Sequence, residues 1–367
     1  MKVLFLTNIP SPYRVDFFNE LGKMCDLTVV FERSTSLVRD ASWEKYDANS
    51  FKPIFLHGIQ RGPDGAFCPG VLRCLKKEQY EHIFVSDFAS PTGMLAISYM
   101  RKNHIPYWLE SDGGFAKDGK GIKEKIKKYF MKGAAGYFST AEEHDRYYLQ
   151  YGAENDRIVR YPFTSLRKED VLPQVPGKLE KQALREELGI EGEKIVLAVG
   201  QFILRKGFDV LMEAMRRMPE PVACYFVGGE PTEEYLEMVR KYNLNRVHFV
   251  GFCNKVQLAR YYQAADLFVL PTREDIWGLV INEAMANGLP VITTERCIAG
   301  LELVENEKNG YIVPADDADA LAERMRRVLL DEELQARMAQ CSLTKIAGYT
   351  IEKMADRHID ILKYKAR

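Results

Sequence analysis

The chain has 367 residues, of which 46% are hydrophobic and 28% charged, and its net charge is −1. This length is too great for one ordinary core and indicates two domains, and the balanced composition excludes a largely disordered chain. A net charge near zero gives no sign of a nucleic-acid-binding protein, so we expect no nucleic acid among its partners.

The cysteines, histidines and apolar runs indicate a soluble protein without a metal centre. Seven scattered cysteines form no C-x-x-C pair, which is typical of reduced thiols in the cytoplasm. Six histidines form no H-x-x-x-H pattern, so we expect neither a metal site nor a bound cofactor. The chain opens on the strand-like run Lys2–Thr7 rather than on a signal peptide, and no apolar run is long enough to span a bilayer. We expect a cytoplasmic protein, with peripheral contact at the inner face of the membrane left open.

Short apolar runs alternate with amphipathic stretches in the first half of the chain. This alternation predicts βαβ units and a parallel sheet. The predicted strands are Val3–Thr7, Leu27–Phe31, His82–Ser86, Tyr107–Glu110 and Ala135–Ser139. The predicted helices are Tyr13–Lys23, Pro69–Glu78, Thr92–Asn103, Ile122–Lys132 and Ala141–Tyr151.

The second half repeats this alternation more clearly. Its predicted strands are Ile195–Gly200, Ala223–Val227, Val247–Val250, Leu267–Leu270 and Pro290–Thr293. Prolines among charged residues predict a linker between the halves. We therefore predict a first domain at 1–165, a linker at 166–192 and a second domain at 193–349.

The clearest functional signal is segment 270–292, in which a strand is followed by an acidic loop and by a helix beginning near Gly278. The first N–H groups of that helix and its dipole suit a diphosphate, and glycine lets a phosphate approach the backbone. We predict that Trp277, Gly278 and Leu279 bind this group.

Two carboxylates accompany this helix. Glu283 lies more than one turn inside it and suits the hydroxyls of a ribose, whereas Asp275 in the loop suits sugar hydroxyls. The alternative is that Glu274 and Asp275 cap the helix and Glu283 is solvated. A functional role is favoured because a carboxylate on so closely packed a helix needs a partner.

A second signal is the pair Arg205 and Lys206, which follows a strand and precedes a helix. The planar guanidinium and the compact ammonium suit a diphosphate leaving group, although such a pair in a loop is more often solvated.

These segments resemble the signature of the retaining GT-B glycosyltransferases of group 4, also called glycosyl transferases group 1. That signature has a Glu, seven residues and a second Glu before an alanine-rich helix and Gly-x-Pro-Val. Here Asp275 holds the first position and Glu283 the second, with Glu274 as the adjacent candidate for the first role. The resemblance implies that Arg205 and Lys206 grip the diphosphate, and Gln201 stands where many members have Arg.

Further matches follow the strands of the second half. The resemblance places Gly200 and the turn Gly228-Gly229 beside the nucleotide, and Phe252 beside the base. A core position for Phe252 is an equal alternative. The C-terminal helix at 350–365 resembles the one that completes the first domain in this family.

The first half contributes two candidates under the same resemblance. Arg14 follows the first strand and is predicted to meet the donor phosphate or the acceptor, although Pro12 there is explained by a helix start. Asp112 stands where many members have a histidine near the reacting sugar, and a turn-forming Asp-Gly is the alternative. His144 is interpreted as structural.

Residues 117–132 form a basic amphipathic stretch, with Lys117, Lys120, Lys123, Lys125, Lys127, Lys128 and Lys132 among apolar residues. Such a stretch can lie on an anionic membrane surface. The favoured alternative is a solvated helix that packs its apolar stripe on the sheet.

The resemblance implies two Rossmann-like, doubly wound parallel-sheet domains facing an interdomain cleft. It implies retaining, metal-independent transfer of a sugar from a UDP- or GDP-sugar to a hydroxyl of a glycan or lipid-linked glycan. The site residues it implies are Arg205, Lys206, Asp275, Glu283 and Asp112. The alternatives are a non-catalytic nucleotide-sugar-binding protein and a GT-B epimerase or phosphorylase.

Overall fold

The computed structural model describes residues 1–34, 47–61, 65–77, 80–117, 119 and 121–365. These residues form two compact units. The first comprises Met1–Ser165 and the C-terminal segment from Thr350, and the second comprises Leu166–Tyr349. Each unit is built on its own parallel sheet, which confirms the α/β class expected from the alternating pattern.

The first unit contains a parallel sheet whose strand order is β3-β2-β1-β6-β7-β8-β9, together with an antiparallel hairpin. Strand β1 pairs with β2 on one side and with β6 on the other, so the order reverses between β1 and β6. The strands are β1 (Lys2–Thr7), β2 (Asp26–Phe31), β3 (Lys52–Phe55), the hairpin β4 (Ile59–Arg61) and β5 (Gly65–Phe67), β6 (His82–Val85), β7 (Trp108–Glu110), β8 (Gly136–Ser139) and β9 (Ile158–Arg160).

Helices connect these strands and cover the sheet. They are α1 (Pro12–Gly22), α2 (Val71–Lys77), α3 (Pro91–Lys102), α4 (Ile122–Met131) and α5 (Glu142–Gln150). Proline begins α1 and α3, where its fixed φ angle fits the first turn and its missing N–H leaves no bond unmade. The central strands are buried along almost their whole length, as expected when helices cover a parallel sheet.

The second unit repeats the architecture with the strand order β12-β11-β10-β13-β14-β15, and every pair is parallel. Its strands are β10 (Lys194–Val199), β11 (Val222–Val227), β12 (Val247–Val250), β13 (Leu267–Leu270), β14 (Val291–Thr294) and β15 (Gly310–Val313). Its helices are α6 (Lys178–Leu188), α7 (Phe208–Met215), α8 (Glu233–Tyr242), α9 (Lys255–Ala264), α10 (Leu279–Ala286), α11 (Ile298–Leu303), α12 (Ala318–Leu329) and α13 (Glu332–Ile346).

Residues 166–192, interpreted from composition as a linker, lie inside the second unit. Helix α6 is held there by Lys181 and Arg185, which contact Asp266 at 3.3 Å and 2.7 Å. The last helix, α14 (Ile351–Lys365), belongs to the first unit and packs against α1. Across the described residues, no helix combines the length and apolar character needed to cross a bilayer.

Candidate active site

The predicted loops meet where the strand order of the second sheet reverses. Strand β10 lies between β11 and β13, and the chain leaves β10 and β13 in opposite directions along the sheet. Loop 200–207 follows β10, and loop 271–278 follows β13. In open parallel sheets, ligands bind at such a reversal, outside the carboxyl ends of the strands.

Gly207 allows the two loops to touch. A short 3-10 turn, Leu204–Lys206, ends at Gly207, whose φ angle of 68° lies in the left-handed region. A Cβ atom at this position would lie 2.0 Å from the carbonyl oxygen of Pro271, which is too close for any other residue. The loop therefore needs glycine for its conformation and for its contact with the next loop.

The two predicted cations converge on the predicted loop carboxylate. Lys206 Nζ lies 2.7 Å from Asp275 Oδ2, and Arg205 Nη1 lies 3.5 Å from Asp275 Oδ1. Arg205 also donates to the carbonyl oxygen of Glu274 at 2.7 Å. The side chain of Arg205 remains 45% exposed, whereas those of Lys206 and Asp275 are 12% and 10% exposed. The structure thus brings these three residues together and leaves Arg205 accessible.

Arg273, which the sequence did not indicate as a functional residue, joins the two loops by hydrogen bonds. Its guanidinium donates to both carboxylate oxygens of Asp209 at 2.9 Å and 2.6 Å, and to the Leu204 carbonyl at 2.6 Å. Its backbone N–H donates to the Arg205 carbonyl at 2.8 Å. These bonds fix the backbone that carries the cations, so Arg273 is a positioning residue.

Helix α10 begins beside this cluster, after Gly278. The φ angle of Gly278 is 101°, and a Cβ atom there would lie 2.9 Å from the buried Cys297 Sγ. Packing against Cys297 therefore requires glycine independently of any ligand. The first N–H groups of α10, including that of Leu279, have no carbonyl of their own helix to bind. They suit the predicted anion.

Trp277 does not offer its ring to a ligand. The side chain is buried, and its indole N–H donates to Asn282 Oδ1 at 2.9 Å. The prediction that Trp277 binds the ligand is therefore wrong for its side chain. The indole lies in the core, where a ligand in solvent does not reach it.

Glu283 has a partner from the neighbouring helix. The Tyr262 hydroxyl of α9 donates to Glu283 Oε2 at 3.0 Å. Burial raises the pKa of Glu283 above its usual range, although the Tyr262 hydrogen bond and the charge of Lys255 act in the opposite direction. The carboxylate is half-buried rather than solvated, as expected for a group that needs a partner.

Glycines shape the ends of the neighbouring strands. Gly200, Gly228 and Gly229 have φ angles of 152°, 136° and 129°, and a Cβ atom on Gly228 would lie 2.5 Å from the Gly200 carbonyl oxygen. The Gly228 N–H donates to Val250 at 3.2 Å, which brings the segment before Phe252 beside this turn. Phe252 is 67% exposed, so the core alternative for this ring is wrong.

Arg14, in the first unit, is not available to a phosphate. It is 4% exposed, forms an ion pair with Glu110 and donates to Asp112 Oδ1 at 2.5 Å. The Tyr13 hydroxyl donates to the other oxygen of Asp112 at 2.7 Å. We therefore correct the interpretation of Arg14, because two carboxylates of its own unit neutralise its charge. The bonds of Asp112 likewise serve the first unit.

A histidine from the C-terminal helix completes this cluster. His358 Nε2 lies 3.0 Å from Glu110 Oε2, and Nδ1 lies 2.7 Å from the Met354 carbonyl oxygen. Burial opposes ionisation of Glu110, but Arg14 and His358 outweigh it and lower its pKa to about 2. His358 thus links the C-terminal helix to the end of β7 through Glu110.

His144 is structural, as the sequence suggested. Its Nδ1 accepts from the Thr140 N–H at 3.2 Å, and its Nε2 lies 3.0 Å from Ser111 Oγ. Burial lowers the pKa of His144 to about 3. The ring is therefore neutral and joins two strand ends of the first unit.

Comparisons with known proteins agree with this geometry. Residues 180–342 match the family model described as Glycosyl transferases group 1. The D-inositol 3-phosphate glycosyltransferase of Xylanimonas cellulosilytica is 33% identical over 55% of this chain and 50% of the relative. That of Segniliparus rotundus is 25% identical over 89% of this chain and 78% of the relative. The chain thus spans about half the length of the first relative, as it does for LpsE of Rhizobium meliloti, of which it covers 50% at 27% identity.

Solved structures share the fold over nearly the whole chain. HepE of Anabaena, solved in complex with UDP, superposes with a TM-score of 0.79 at 17% identity, over 99% of this chain and 100% of HepE. The sucrose-phosphate synthase of Thermosynechococcus elongatus gives a TM-score of 0.78 at 20% identity and covers 99% of both chains. These similarities show the GT-B fold.

Proposed function

We propose that the chain is a member of the glycosyl transferases group 1 family, whose model residues 180–342 match, and that it moves a sugar from a nucleoside-diphosphate donor to a hydroxyl group of a glycan or lipid-linked glycan, with retention of the anomeric configuration. The observation that supports this proposal best is the convergence of Arg205, Lys206 and the start of α10 at the reversal of strand order. The donor base is uracil or guanine, and the UDP in the similar HepE structures favours uracil.

The cations supply the main catalytic effect. When the bond between the sugar C1 and the β-phosphate oxygen breaks, negative charge grows on the departing diphosphate. Lys206, Arg205 and the first N–H groups of α10 are already oriented by Asp275, Arg273 and the packing of Gly278. Donors fixed before the reaction stabilise that charge without reorganisation, so the reaction proceeds without a metal ion.

Retention of the anomeric configuration determines from which face the acceptor attacks and where its proton goes. The acceptor oxygen bonds to C1 on the face that the diphosphate leaves, and its proton passes to the departing phosphate oxygen. This step needs no protein base. The family resemblance is the source of this part of the proposal, and we assign no general base.

Other residues hold the donor. Glu283 keeps Oε1 for a ribose hydroxyl while Oε2 accepts from Tyr262. The exposed ring of Phe252 provides a stacking face for the base, and Gly228 and Gly229 let the nucleotide approach the backbone. A lipid-linked acceptor would bring the protein to a membrane surface, which is why peripheral membrane contact is part of this proposal.

The first prediction concerns donor turnover. A panel of nucleoside-diphosphate sugars is screened by thermal shift, because a ligand that binds only the folded state raises Tm. Release of nucleoside diphosphate is then measured for each stabilising donor. Lys206→Ala is expected to reduce kcat/KM by about 100- to 1,000-fold, the usual effect of losing one fixed donor to developing charge. Glu283→Ala is expected to weaken donor binding, and a chelator is expected to change nothing.

Lys178→Ala, an exposed lysine of α6, is the matched control and should retain full activity. Full activity of both Lys206→Ala and Glu283→Ala would contradict the assignment. Donor binding without diphosphate release or transfer would identify the non-catalytic binding protein. Conversion of the donor sugar without an acceptor would identify the epimerase.

A further inference from the structure

Helix α9 holds the carboxylate of Glu283 from inside the second unit. The Tyr262 hydroxyl donates to Glu283 Oε2 at 3.0 Å, whereas the Val280 carbonyl oxygen, one turn earlier in α10, lies farther away at 3.4 Å. Tyr262 is 1% exposed, and its ring lies against that of Phe268 of β13 with the ring centres 5.7 Å apart. Because a hydroxyl has one hydrogen to donate and an ionised oxygen is the stronger acceptor, that hydrogen goes to the carboxylate.

A second contact from α9 holds the backbone of Glu283. Gln263, the next residue after Tyr262, donates through Nε2 to Asn287 Oδ1 at 3.1 Å. The Asn287 side chain in turn donates through Nδ2 to the Glu283 carbonyl oxygen at 2.9 Å. Asn287 is buried, so its amide is held at both ends without competition from bulk water. Two consecutive residues of α9 thus hold both the side chain and the backbone of Glu283.

These bonds prepare the carboxylate before any ligand arrives. Glu283 is half-buried, and burial raises its pKa, whereas the Tyr262 hydrogen bond lowers it. The hydroxyl therefore favours the ionised form, which accepts hydrogen bonds with both oxygens. A glutamate side chain loses much rotamer freedom when it is immobilised, and a ligand binds more tightly when the protein has already immobilised it. Because Oε2 is occupied by Tyr262, Oε1 is the oxygen that faces a ligand.

We propose that Tyr262 is a positioning residue, which orients the Glu283 carboxylate toward the ribose of the donor while the Gln263–Asn287 bond fixes the backbone beneath it. The inference rests on the proposed function, because it takes the ribose as the ligand of Glu283. The buried hydroxyl of Tyr262 does not itself reach the donor, so it acts through Glu283 alone. The ribose lies outside the reacting bond, and its contacts strengthen binding of the ground state and the transition state alike. Loss of the hydroxyl should therefore raise KM for the donor and leave kcat nearly unchanged.

A double-mutant cycle between Tyr262 and Glu283 tests this proposal. Isothermal titration of the purified full chain with UDP and with GDP identifies the nucleotide that binds more tightly, and that nucleotide is the probe. Tyr262→Phe should weaken its binding about five- to tenfold, as expected for the loss of one hydrogen bond to a charged group. In the Glu283→Ala background, the same Phe substitution should change the affinity by less than about twofold, because the group that Tyr262 orients is gone.

Tyr225→Phe is the matched control in the same unit. Tyr225 is 5% exposed, and its hydroxyl accepts from the Glu191 N–H at 2.7 Å, so the substitution also removes one buried hydroxyl and one hydrogen bond. Tm should fall by a similar amount in Tyr225→Phe and Tyr262→Phe, whereas only Tyr262→Phe should weaken nucleotide binding.

An exposed tyrosine provides a second control. Tyr129 of α4 is 57% exposed, and Ile122 and Ile126 on the same face are 77% and 41% exposed. The favoured alternative from the sequence, in which this stripe packs on the sheet, is therefore wrong, and Lys120 of the same basic stretch lies outside the described residues. Tyr129→Phe should bind the nucleotide like the parent chain.

The outcomes separate this inference from the proposed function. Weakened binding in Glu283→Ala together with parent-like binding in Tyr262→Phe would overturn the positioning role and leave the proposed function standing. An equal loss from Tyr262→Phe with and without the Glu283 side chain, or an equal loss in Tyr225→Phe, would show that the hydroxyl serves the fold alone. Parent-like binding in Glu283→Ala, or failure of both nucleotides to bind the parent chain, would contradict the proposed function itself.

Discussion

Each unit contains a charged cluster near the carboxyl ends of its strands, and the two clusters differ in charge balance and access. In the first unit, Arg14 forms ion pairs with Glu110 and Asp112, and His358 lies against the other oxygen of Glu110. In the second unit, Arg205 and Lys206 share the carboxylate of Asp275, and Arg205 remains half exposed. The guanidinium of the first cluster has two carboxylates and is buried, whereas the second cluster has two cations for one carboxylate, and solvent reaches one of them.

The difference separates a structural role from a binding role. A charged side chain that is buried away from water needs a partner of opposite charge, and Arg14 finds two such partners within the first unit. The second cluster leaves its positive charge incompletely matched at the edge where parallel sheets bind ligands. A strongly lowered carboxyl pKa, as in Glu110, therefore marks the tight structural cluster here rather than the candidate active site.

The largest expected effect is on the stability of the first unit. Glu110→Gln removes the buried carboxylate that pairs with Arg14 and contacts His358, and leaves the buried guanidinium of Arg14 with Asp112 as its ion-pair partner. Loss of one partner from a buried ion pair costs about 3–5 kcal/mol, so we expect the free energy of unfolding in denaturant to fall by about that amount. Asp145→Asn, which removes an ion pair with the half-exposed Arg160, is the control and should cost about 1 kcal/mol or less.

The same variant has a defined pH signature. Because the pKa of Glu110 is lowered in the folded state, its contribution to stability is present above its ordinary pKa and is lost as pH falls toward about 2. Glu110→Gln should therefore flatten the decline of stability on the acid side. An unchanged acid profile would show that Arg14 and His358 do not hold the Glu110 carboxylate in its ionised form.

The sequence predicted the cluster of the second unit because its residues follow strands that are neighbours in the sheet. The carboxyl ends of parallel strands share one edge, so Lys206 and Asp275 meet although 69 positions separate them. The strand-and-helix alternation likewise predicted most elements. The strands β3, β9 and β15 and the hairpin strands β4 and β5 were not predicted from the sequence.

The same reasoning failed where tertiary partners decide a residue's role. The position of Arg14 after the first strand suggested phosphate binding, but Glu110 and Asp112, about a hundred positions away in sequence, take both ends of its guanidinium. Trp277 lies within segment 270–292, which carries the clearest functional signal, but its ring is buried in the core. The one available signal for His358 was a polar residue among apolar neighbours on the predicted C-terminal helix, and that signal does not name the partner.

An intermediate effect is expected at Asp275. Its carboxylate pairs with the cations that the proposed diphosphate would contact, so Asp275→Asn should strengthen binding of free nucleoside diphosphate about tenfold and make that binding more sensitive to salt. Isothermal titration with the nucleoside diphosphate and with the donor sugar measures both affinities. Glu274→Gln is the matched comparison, because the carboxylate of Glu274 pairs with Arg296 at 3.4 Å, whereas Arg205 bonds to the backbone oxygen of Glu274.

The two titrations also decide between the roles suggested for these acidic residues. If Asp275 contacts the sugar, its Asn variant should lose affinity for the complete donor while diphosphate affinity stays unchanged. If Glu274 has that contact, the loss should appear in its Gln variant instead.

The smallest effect tests a buried carboxyl whose pKa burial raises rather than lowers. Glu32, at the end of β2, is buried and accepts from the Ala66 N–H at 3.1 Å and from the Ser90 hydroxyl. Burial raises the pKa of Glu32 to about 7, with the charge of Asp87 acting in the same direction against these hydrogen bonds. Glu32 and Glu110 thus form a contrasting pair of buried carboxyls in the first unit. Burial raises the pKa of Glu32, whereas Arg14 and His358 lower that of Glu110.

The sign of the pH effect is accordingly opposite. A carboxyl whose pKa is raised by folding gives its full stability below its ordinary pKa and loses it as pH rises through about 7. The reference is Glu32→Gln, which cannot ionise and whose amide accepts from the Ala66 N–H with its oxygen and donates to the Ser90 hydroxyl with its nitrogen. Relative to this variant, the parent chain should lose about 1 kcal/mol of unfolding free energy between pH 6 and pH 8. Denaturant titrations at several pH values measure this difference. Parallel curves for the two proteins would mean that Glu32 ionises as easily in the folded chain as in the unfolded one. Burial would then not raise the pKa of this carboxyl.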